Sequence, residues 1–375
     1  MKLGELQSFV SLRFDVDLPS LDKLVESHEA YFGDISFFDN AKRYLKARFD
    51  FLVTELARGR NVFCPDLFHA LLGCLITNQP CERTQADVIA KHVLGLRCQG
   101  GFLTAPRTYV DQFPKFRSAR TNPSIPEVYS SYYSYYLLQM LNVPFSGQDM
   151  ENLVSWMVAH QKKSGAIYSD VYSDTPEPRR FETEVACQTF FGINVILSAK
   201  AKLPEFDPND CLLKTKEWAL GKWLSLRTVA GRYFALKTIQ LVCPEEVSQL
   251  GSAEAIGFLE DRSDHHGEGY YDYRLSDKID EFMSSSSATE LDKISPHVFS
   301  TYYAASIMKI LWSYGASIKI PLDRLKRLAT KAANQDSGFG IKVMVKDFPE
   351  PYGPVSTELE TLLILLLPLL TQVDI

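Results

Sequence analysis

Two stretches near the C-terminal end of the chain decide its fold class: the glycine turn Gln335–Gly340 (QDSGFG), and Ser356–Leu367, which reads STELETLLILLL. The second stretch opens with hydroxyl residues that suit a helix N-terminus and continues as a nearly unbroken apolar run. A helix that is apolar on all sides is buried on all sides. We therefore expect an inner helix, enclosed by other helices, after a glycine turn.

The same pairing of a glycine turn with an apolar helix occurs four times along the chain, as in an internal repeat. The turns lie at residues 99–102, 161–167, 264–270 and 335–340, and the helices after them are predicted to begin at Val128, Glu182, Ser300 and Ser356. The closest internal match aligns Thr183-Glu184 with Thr357-Glu358. Each unit supplies an outer helix and an inner helix.

Two degenerate units complete the set, with outer helices near residues 40–57 and 212–224 and inner helices that begin at Pro65 and Val229. Outer helices such as the one at 321–334 carry leucine at helical spacing on one face and charge on the other, which is typical of a solvent-facing layer. The six hairpins predict an all-α protein, an (α/α)6 toroid with inner and outer rings of helices.

The repeat also predicts the domain organisation. We expect a single domain over residues 1–375, with an N-terminal extension at 1–35 packed on the barrel. A long connection at 274–295 either covers one mouth of the barrel or is a solvated insertion.

The composition of the chain excludes some classes of function. The net charge of −6 over 375 residues argues against a nucleic-acid partner, which needs concentrated positive charge. The most apolar run, 359–370, contains Glu360 and is too short to span a bilayer, and no signal peptide is visible, so we expect a cytoplasmic protein without a transmembrane segment. Seven cysteines without a CxxC pair indicate reduced thiols.

The glycine–aromatic turn followed by a Ser/Thr-opened helix resembles the repeat shared by squalene–hopene cyclases, other class II terpene cyclases and protein prenyltransferase β subunits. The segments that match best are 335–366 and 267–311, and 161–197 matches more weakly. The resemblance implies the toroid fold and a hydrophobic isoprenoid substrate. It does not fix the reaction, because one architecture hosts different chemistries.

The catalytic motifs of these families are absent or fragmentary. The Asp-x-Asp-Asp acid motif of class II cyclases is represented only by Asp15-Val-Asp17-Leu18, in the N-terminal segment. No aspartate precedes a cysteine by two positions, so the Asp-x-Cys zinc motif of prenyltransferases is missing. Asp170 and Asp174 loosely match a class I aspartate motif and could bind magnesium if the substrate carries a diphosphate; otherwise we expect no cofactor.

Aromatic residues on the predicted inner helices are the candidates for substrate contact. They are Tyr129, Tyr132, Tyr133 and Tyr136, spaced at i, i+3, i+4 and i+7, with Phe190, Phe191, Tyr302 and Tyr303 in other units. Such rings can bind a prenyl chain and stabilise a carbocation by about 0.5–2 kcal/mol per ring. The alternative for each ring is ordinary packing between helices. His69 and His297 either enter the cavity or are hydrogen-bonded core residues.

Cyclisation that starts by protonation needs a carboxyl that stays neutral, and burial in an apolar cavity raises the pKa of a carboxyl. Glu184, Glu358 and Glu360 meet this requirement, and Glu360 lies deepest in an apolar helix. The alternative is that they cap helices or offset the helix dipole. Asp264, in the turn at 264–268, is either a fourth acid–base candidate or part of a polar surface turn.

A diphosphate substrate would need cations near a helix N-terminus. Arg179 and Arg180 immediately precede the helix predicted at Glu182, and Arg232 and Lys237 lie in the fourth unit. For each of these basic residues, solubilisation of the surface is the alternative interpretation.

Together these features favour an atypical terpene or meroterpenoid cyclase that binds a prenyl chain in an aromatic-lined central cavity and starts ring closure by protonation from a carboxylic acid. The second interpretation is a prenyltransferase-like enzyme acting on an isoprenyl diphosphate, and a helical protein partner would strengthen it. The third is a nonenzymatic toroid that binds an isoprenoid or a protein, because no strict catalytic motif is present. A glycan-active barrel is less favoured than these three interpretations, because the four tryptophans lie in predicted helices rather than in platform loops.

Overall fold

A computed structural model describes residues 3–60, 62–104, 126–169, 182–263, 269–272, 298–334, 336–339 and 357–370. This described part is mostly helical, which confirms the all-α class. It contains one short β-hairpin, in which β1 (Arg97–Cys98) pairs with β2 (Gly101–Phe102).

The described α-helices fall into three sets. Two open the chain, α1 (Leu3–Phe14) and α2 (Leu21–Phe32). Six flanking helices are amphipathic or largely polar: α3 (Ser36–Ala57), α5 (Arg83–Gly95), α7 (Gly147–Ala159), α9 (Asn209–Lys222), α11 (Ser252–Glu260) and α13 (Leu322–Ala332). Six core helices are buried over most of their length: α4 (Cys64–Ile76), α6 (Val128–Met140), α8 (Glu182–Lys202), α10 (Val229–Val242), α12 (Val298–Ser313) and α14 (Glu358–Leu370).

The predicted starts of the core helices agree with the observed ones to within two residues. Helices α6, α8 and α10 begin at the predicted residues. Helix α4 begins at Cys64, one residue before the predicted Pro65, so that the proline occupies the first turn, where its missing N–H is harmless. Helix α12 begins earlier than predicted, at Val298, and α14 begins later, at Glu358.

The core helices contact one another in the order of the sequence. Helix α4 contacts α6, and the contacts continue from α6 to α8, α8 to α10, α10 to α12 and α12 to α14. Helix α14 also contacts α4, so the series of neighbours returns to its start. Each flanking helix from α3 to α11 packs on the core helix that follows it, and α13 packs on α12.

Each of the four glycine turns is joined to the following core helix by an equivalent hydrogen bond. A backbone N–H at the end of the turn donates to a Ser or Thr hydroxyl: Phe102 to Ser131 (2.8 Å), Ile167 to Thr189 (3.1 Å), Tyr270 to Thr301 (2.9 Å) and Phe339 to Thr361 (3.0 Å). A buried N–H without an acceptor costs about 1–3 kcal/mol. All four glycine turns are therefore attached to their core helices in the same way.

Glycine is required at the second of these turns because another backbone comes very close. Gly165 has a φ of +95°, and a Cβ at this position would lie 2.0 Å from the carbonyl oxygen of Lys214 in α9. Gln161 Nε2 fixes the turn on the same helix by donating to the carbonyl oxygen of Cys211 (2.8 Å) and to Thr215 Oγ1 (3.0 Å).

Helix α14 lies beside α2, α3 and α4, and all 13 of its residues except Leu359 are buried. His28 of α2 contacts it through a 2.8 Å hydrogen bond to the carbonyl oxygen of Leu365. Burial lowers the pKa of His28 to about 4, so its imidazole is neutral at physiological pH. Among the described helices, including α14, none has the length and apolar content that a membrane span would need.

Candidate functional site

Aromatic side chains from four successive core helices meet in one cluster. We use the name aromatic cluster for Tyr132, Tyr133, Phe190, Phe191, Tyr233, Phe234 and Tyr303. Tyr132 stacks on Phe191 with ring centroids 4.1 Å apart, and Tyr233 stacks on Tyr303 at 4.4 Å. The ring of Phe234 links these two pairs, because it lies 5.8 Å from Phe191 and 5.4 Å from Tyr303. Helical spacing thus brings most of the predicted aromatic residues together.

The aromatic cluster surrounds a positive charge from the N-terminal helix. Arg13, in the last turn of α1, is only 2% exposed. Its guanidinium carbon lies between 5.0 and 5.8 Å from four ring centroids, those of Phe14, Phe190, Phe191 and Phe234. The hydroxyls of Tyr133 and Tyr303 also interact with the guanidinium. Among the described residues no carboxylate pairs with it, so the aromatic groups are its main source of stabilisation.

Asp15 anchors the end of α1 through a buried ion pair. Lys237 Nζ of α10 lies 2.5 Å from Asp15 Oδ1, and the two side chains are 2% and 6% exposed, respectively. Lys237 also donates to Gln240 Oε1 at 3.0 Å. Asp15 has a φ of +59°, a left-handed conformation that ends the helix and that aspartate adopts more readily than most residues. Removing one charge would leave the other buried and unpaired.

Two tyrosine hydroxyls satisfy the last carbonyl groups of α1. The hydroxyl of Tyr233 lies 2.9 Å from the carbonyl oxygen of Arg13 and 3.0 Å from Asp15 Oδ2. The hydroxyl of Tyr302 donates to the carbonyl oxygen of Phe14 at 2.8 Å. The C-terminal carbonyls of a helix lack partners within the helix, so these contacts stabilise its buried end.

The apolar face of α1 continues the contact with the core helices. The ring of Phe9 lies 5.7 Å from that of Phe68 in α4 and 4.7 Å from that of Tyr136 in α6. Leu6 and Val10 are buried on the same face. Helix α1 therefore occupies the space towards which the aromatic residues of α4, α6, α8 and α10 converge.

The N-terminal ends of α6 and α8 keep accessible surface beside the aromatic cluster. Tyr129 and Cys187 are only partly buried, and the ring of Tyr129 lies 4.8 Å from that of Tyr133. Desolvation raises the pKa of Cys187 to about 12; the charge of Arg13 opposes this shift and that of Glu184 adds to it. Glu184 is partly exposed and lies one helical turn before Cys187. It is therefore at the accessible edge of the cluster.

Glu358 joins α14 to a flanking helix. Its Oε1 lies 2.5 Å from Arg48 Nε of α3, and its side chain is 9% exposed. Burial, together with the charge of Glu358, raises the pKa of Asp66 in the first turn of α4 to about 6. The sequence analysis did not single out Asp66, although it opens a core helix as Glu358 does.

Glu360 lies in the first turn of α14, where Thr357 contacts both its side chain and its backbone. Thr357 Oγ1 donates to Glu360 Oε2 at 3.1 Å and accepts the backbone N–H of Glu360 at 3.0 Å, which caps the start of α14. Burial raises the pKa of Glu360 to about 7, and the hydrogen bond from Thr357 only partly offsets this. A substantial fraction of this carboxyl is therefore protonated at neutral pH.

His69 lies at the edge of the aromatic cluster. Its ring centroid is 5.3 Å from that of Tyr133, and its side chain is buried. Burial and the nearby charge of Arg13 lower its pKa to about 3, so the imidazole is neutral. Within the described part of the chain, its Nε2 has no hydrogen-bond partner.

Arg232 is engaged in contacts away from the aromatic cluster. Its Nε and Nη2 donate to the carbonyl oxygens of Leu226 (2.9 Å) and Leu224 (2.7 Å). Its guanidinium carbon lies 3.5 Å from the ring centroid of Phe258, as does that of Arg262. Burial and the charge of Arg262 lower the pKa of Arg232 to about 10. These contacts hold the segment before α10 against α11.

Several predicted site residues lie outside the described residues: Asp264, His297, Arg179 and Arg180, together with Asp170, Asp174 and the connection at 274–295. In the ranges that are described, no group of three or more His, Cys, Asp or Glu side chains could hold a metal ion.

Comparison of the chain with protein-family models and with curated proteins gave no match.

Arg13 and Asp15 are the main site residues that the sequence analysis missed, although a signal was present. Phe9, Val10, Arg13 and Phe14 fall at i, i+1, i+4 and i+5, so a cation lies on the apolar face of a helix. A charge in that position needs a buried partner or an aromatic surface. Asp15 was noted only as part of a fragmentary motif.

Proposed function

We propose that this chain is an atypical terpene or meroterpenoid cyclase built as an (α/α)6 toroid. One observation carries the proposal: aromatic groups from four core helices and from α1 stabilise a buried positive charge that has no carboxylate partner among the described residues. A cyclising carbocation has similar requirements, namely an apolar site and ring faces around the charge. The aromatic cluster therefore suits a prenyl chain that becomes positively charged.

The proposed toroid is supported by the order of contacts. Each core helix contacts the next, α14 contacts α4, and the flanking helices from α3 to α11 pack on the core helices that follow them. An open stack of hairpins would leave its first and last units apart, because each repeat in such a stack contacts only its neighbours. A ring also explains why six apolar helices can be buried together.

In the proposed reaction, a prenyl chain takes the place of Arg13 among the rings. A neutral carboxyl transfers its proton to an alkene carbon, which forms a C–H bond and leaves a carboxylate and a carbocation. An internal alkene attacks the carbocation to close a ring, and the cyclised cation then loses a proton to the carboxylate, which returns the acid to its neutral form. The product is an isomer of the substrate, so no other reactant is needed.

Two carboxyls are candidates for the acid. Glu360 has a pKa raised to about 7, so it is available in the neutral form. Glu184 lies at the accessible edge of the aromatic cluster. If the substrate carries a diphosphate, magnesium would accompany that group.

The test is incubation of the purified protein with farnesyl diphosphate, geranylgeranyl diphosphate and prenylated aromatic compounds, with and without Mg²⁺, followed by mass spectrometry. An isomer of unchanged mass is expected. Glu184→Gln and Glu360→Gln identify the acid, since the variant that lacks it should lose at least about 100-fold in rate, within the range of general acid catalysis. Glu217→Gln makes the same change at an exposed carboxyl of α9 and should keep full activity.

Other products would change the assignment. Loss of diphosphate or transfer of the prenyl group would support the prenyltransferase-like enzyme. Absence of turnover with every substrate would reject both enzymes.

A nonenzymatic toroid that binds an isoprenoid or a protein is the second candidate, and the position of α1 favours it. Helix α1 fills the space among the aromatic rings, and its end is fixed by the Asp15–Lys237 ion pair and by two tyrosine hydroxyls. If α1 stays there permanently, no prenyl chain can reach the aromatic cluster. The two candidates therefore differ in whether α1 can leave.

A further inference from the structure

We propose that residues 3–18 form an intramolecular plug that competes with the ligand of the aromatic cluster, and that the Asp15–Lys237 ion pair is the latch that holds it. The choice of an isoprenoid as the ligand rests on the proposed function. The competition itself follows from the position of Arg13, because two groups cannot occupy the same space among the rings.

The plug is a unit with its own internal hydrogen bonds. After α1 the chain turns back on the helix, and Gln7 Nε2 donates to the carbonyl oxygen of Leu18 at 3.0 Å. Ser11 Oγ donates to Asp17 Oδ1 at 3.2 Å. These bonds do not involve the core helices, so residues 3–18 can keep their local structure when they move.

The attachment of the plug combines favourable and unfavourable contacts. The apolar face of α1 and the latch hold it in place. Against this, the guanidinium of Arg13 is desolvated, and its Nε and Nη1 have no hydrogen-bond partner among the residues that the structure describes. Unsatisfied buried donors weaken docking, because they would be hydrated in the released state. Arg13 therefore holds the plug less tightly than a guanidinium with all its donors satisfied would.

A single substitution in the latch can release the plug without unfolding the rest of the chain. Asp15→Asn keeps the size of the side chain, and asparagine tolerates the left-handed conformation at this residue. It removes the charge that pairs with Lys237, which then stays buried without a counterion. Asp17→Asn is the matched control, because Asp17 is exposed two residues further on and loses the same charge, while an asparagine Oδ1 can still accept the hydrogen bond from Ser11.

The experiment compares the full-length wild type, Asp15→Asn, Asp17→Asn and the double variant Asp15→Asn/Lys237→Met. Two probes are used, farnesyl diphosphate and the cationic N,N-dimethylfarnesylamine. Calorimetry measures their dissociation constants, and hydrogen exchange measures protection of the amides of α1 and of α6 and α8. Circular dichroism checks that each variant is folded.

We expect the wild type to lose protection in α1, and not in α6 or α8, when a probe binds. Asp15→Asn should bind a probe at least ten-fold more tightly and should lose protection in α1 without any ligand. Asp17→Asn should match the wild type. The double variant removes both charges of the latch, so its α1 protection should return towards the wild-type level.

Several results would overturn the plug. They are binding of a probe with α1 still protected, release of α1 in Asp15→Asn without tighter binding, and failure of every variant to bind either probe. If Asp15→Asn does not fold, the wild-type exchange experiment alone decides.

The plug and the cyclase can fail separately. Turnover with α1 still protected would support the cyclase and reject the plug. Displacement of α1 by a bound probe, without turnover, would support the plug and reject the cyclase.

Discussion

At the scale of single residues, Arg13 is the most informative side chain. An arginine with 2% exposure normally has a carboxylate beside it, whereas this one contacts aromatic groups. The sequence predicted the rings on α6, α8 and α12 from helical spacing, which depends only on local geometry. It did not predict their occupant, because the contact between Arg13 and Phe191 joins residues far apart in the chain.

Substitutions of Arg13 test whether the rings stabilise positive charge. Arg13→Met keeps much of the apolar volume and removes the charge, so it loses the attraction of four rings, about 0.5–2 kcal/mol each. It also avoids the cost of desolvating the charge, which offsets part of this loss. We expect the free energy of unfolding to fall by about 1–3 kcal/mol in Arg13→Met and by less in Arg13→Lys. Urea denaturation measures both. A Met variant as stable as the wild type would show that the rings do not favour a cation.

The raised pKa of Glu360 predicts a pH-dependent stability. The pKa rises from 4.5 to about 7 on folding, so the protonated carboxyl favours the folded state. This contribution is complete below pH about 4.5 and is lost as the pH rises through about 7. Glu360→Gln stays neutral, so it should match the wild type at pH 4 and exceed its free energy of unfolding by about 2–3 kcal/mol at pH 8.

Urea denaturation at several pH values measures this difference, with Glu184→Gln as the control at a partly exposed carboxyl. Equal stability of the wild type and Glu360→Gln across the whole range would mean that Glu360 is ionised in the folded protein. The same result would remove it as a candidate acid.

At the scale of elements, the repeating unit is a glycine turn attached to a core helix by a Ser or Thr hydroxyl. The turns and the helices were predictable because each signal is local: glycine for a left-handed turn, a long apolar run for a buried helix. The hydrogen bond between Ile167 and Thr189 was not predictable in detail, since it depends on how the turn packs on the helix. Helix α1 was predicted only as part of an extension, because its burial depends on partners elsewhere in the chain.

Gly165 and Gly147 provide a matched pair of glycine substitutions. Gly165→Ala would force an alanine to a φ of +95° and bring its Cβ to 2.0 Å from the carbonyl oxygen of Lys214. We expect a loss of more than about 2 kcal/mol in the free energy of unfolding, from backbone strain and from displacement of α9. Gly147→Ala, where a Cβ meets nothing within 4 Å, should be neutral or stabilise by up to about 1 kcal/mol. Thermal or urea denaturation of both variants measures the difference, and similar losses would contradict the close contact at Gly165.

At the scale of the whole molecule, the important relation is the contact between α14 and α4. These helices come from opposite ends of the repeat, and the ion pair between Arg48 and Glu358 joins the same regions. An open stack of hairpins can fray from its ends, because its terminal repeats have a neighbour on one side only. A closed ring has no terminal repeat.

Native-state hydrogen exchange tests this closure. We expect the slowest amides of all six core helices to exchange with one shared free energy of opening, because each helix has two core neighbours. If the amides of α4 or α14 exchange at clearly lower free energy than those of α8, the ends of the repeat open independently and the proposed toroid fails. Glu358→Gln, which removes the ion pair to Arg48, should lower the shared value without splitting it.

The sequence by itself determined the all-α class, the places of the core helices and the glycine turns before them, because periodicity, glycine and helix-opening residues act over a few positions. Only the tertiary structure decided what lies among the aromatic rings, that Asp15 pairs with Lys237, that Glu358 pairs with Arg48, and that burial raises the pKa of Glu360. Those properties depend on burial and on charges brought together from distant parts of the chain. The spacing of residues along the sequence does not give the distances between such charges. Electrostatic energies in the interior depend directly on those distances.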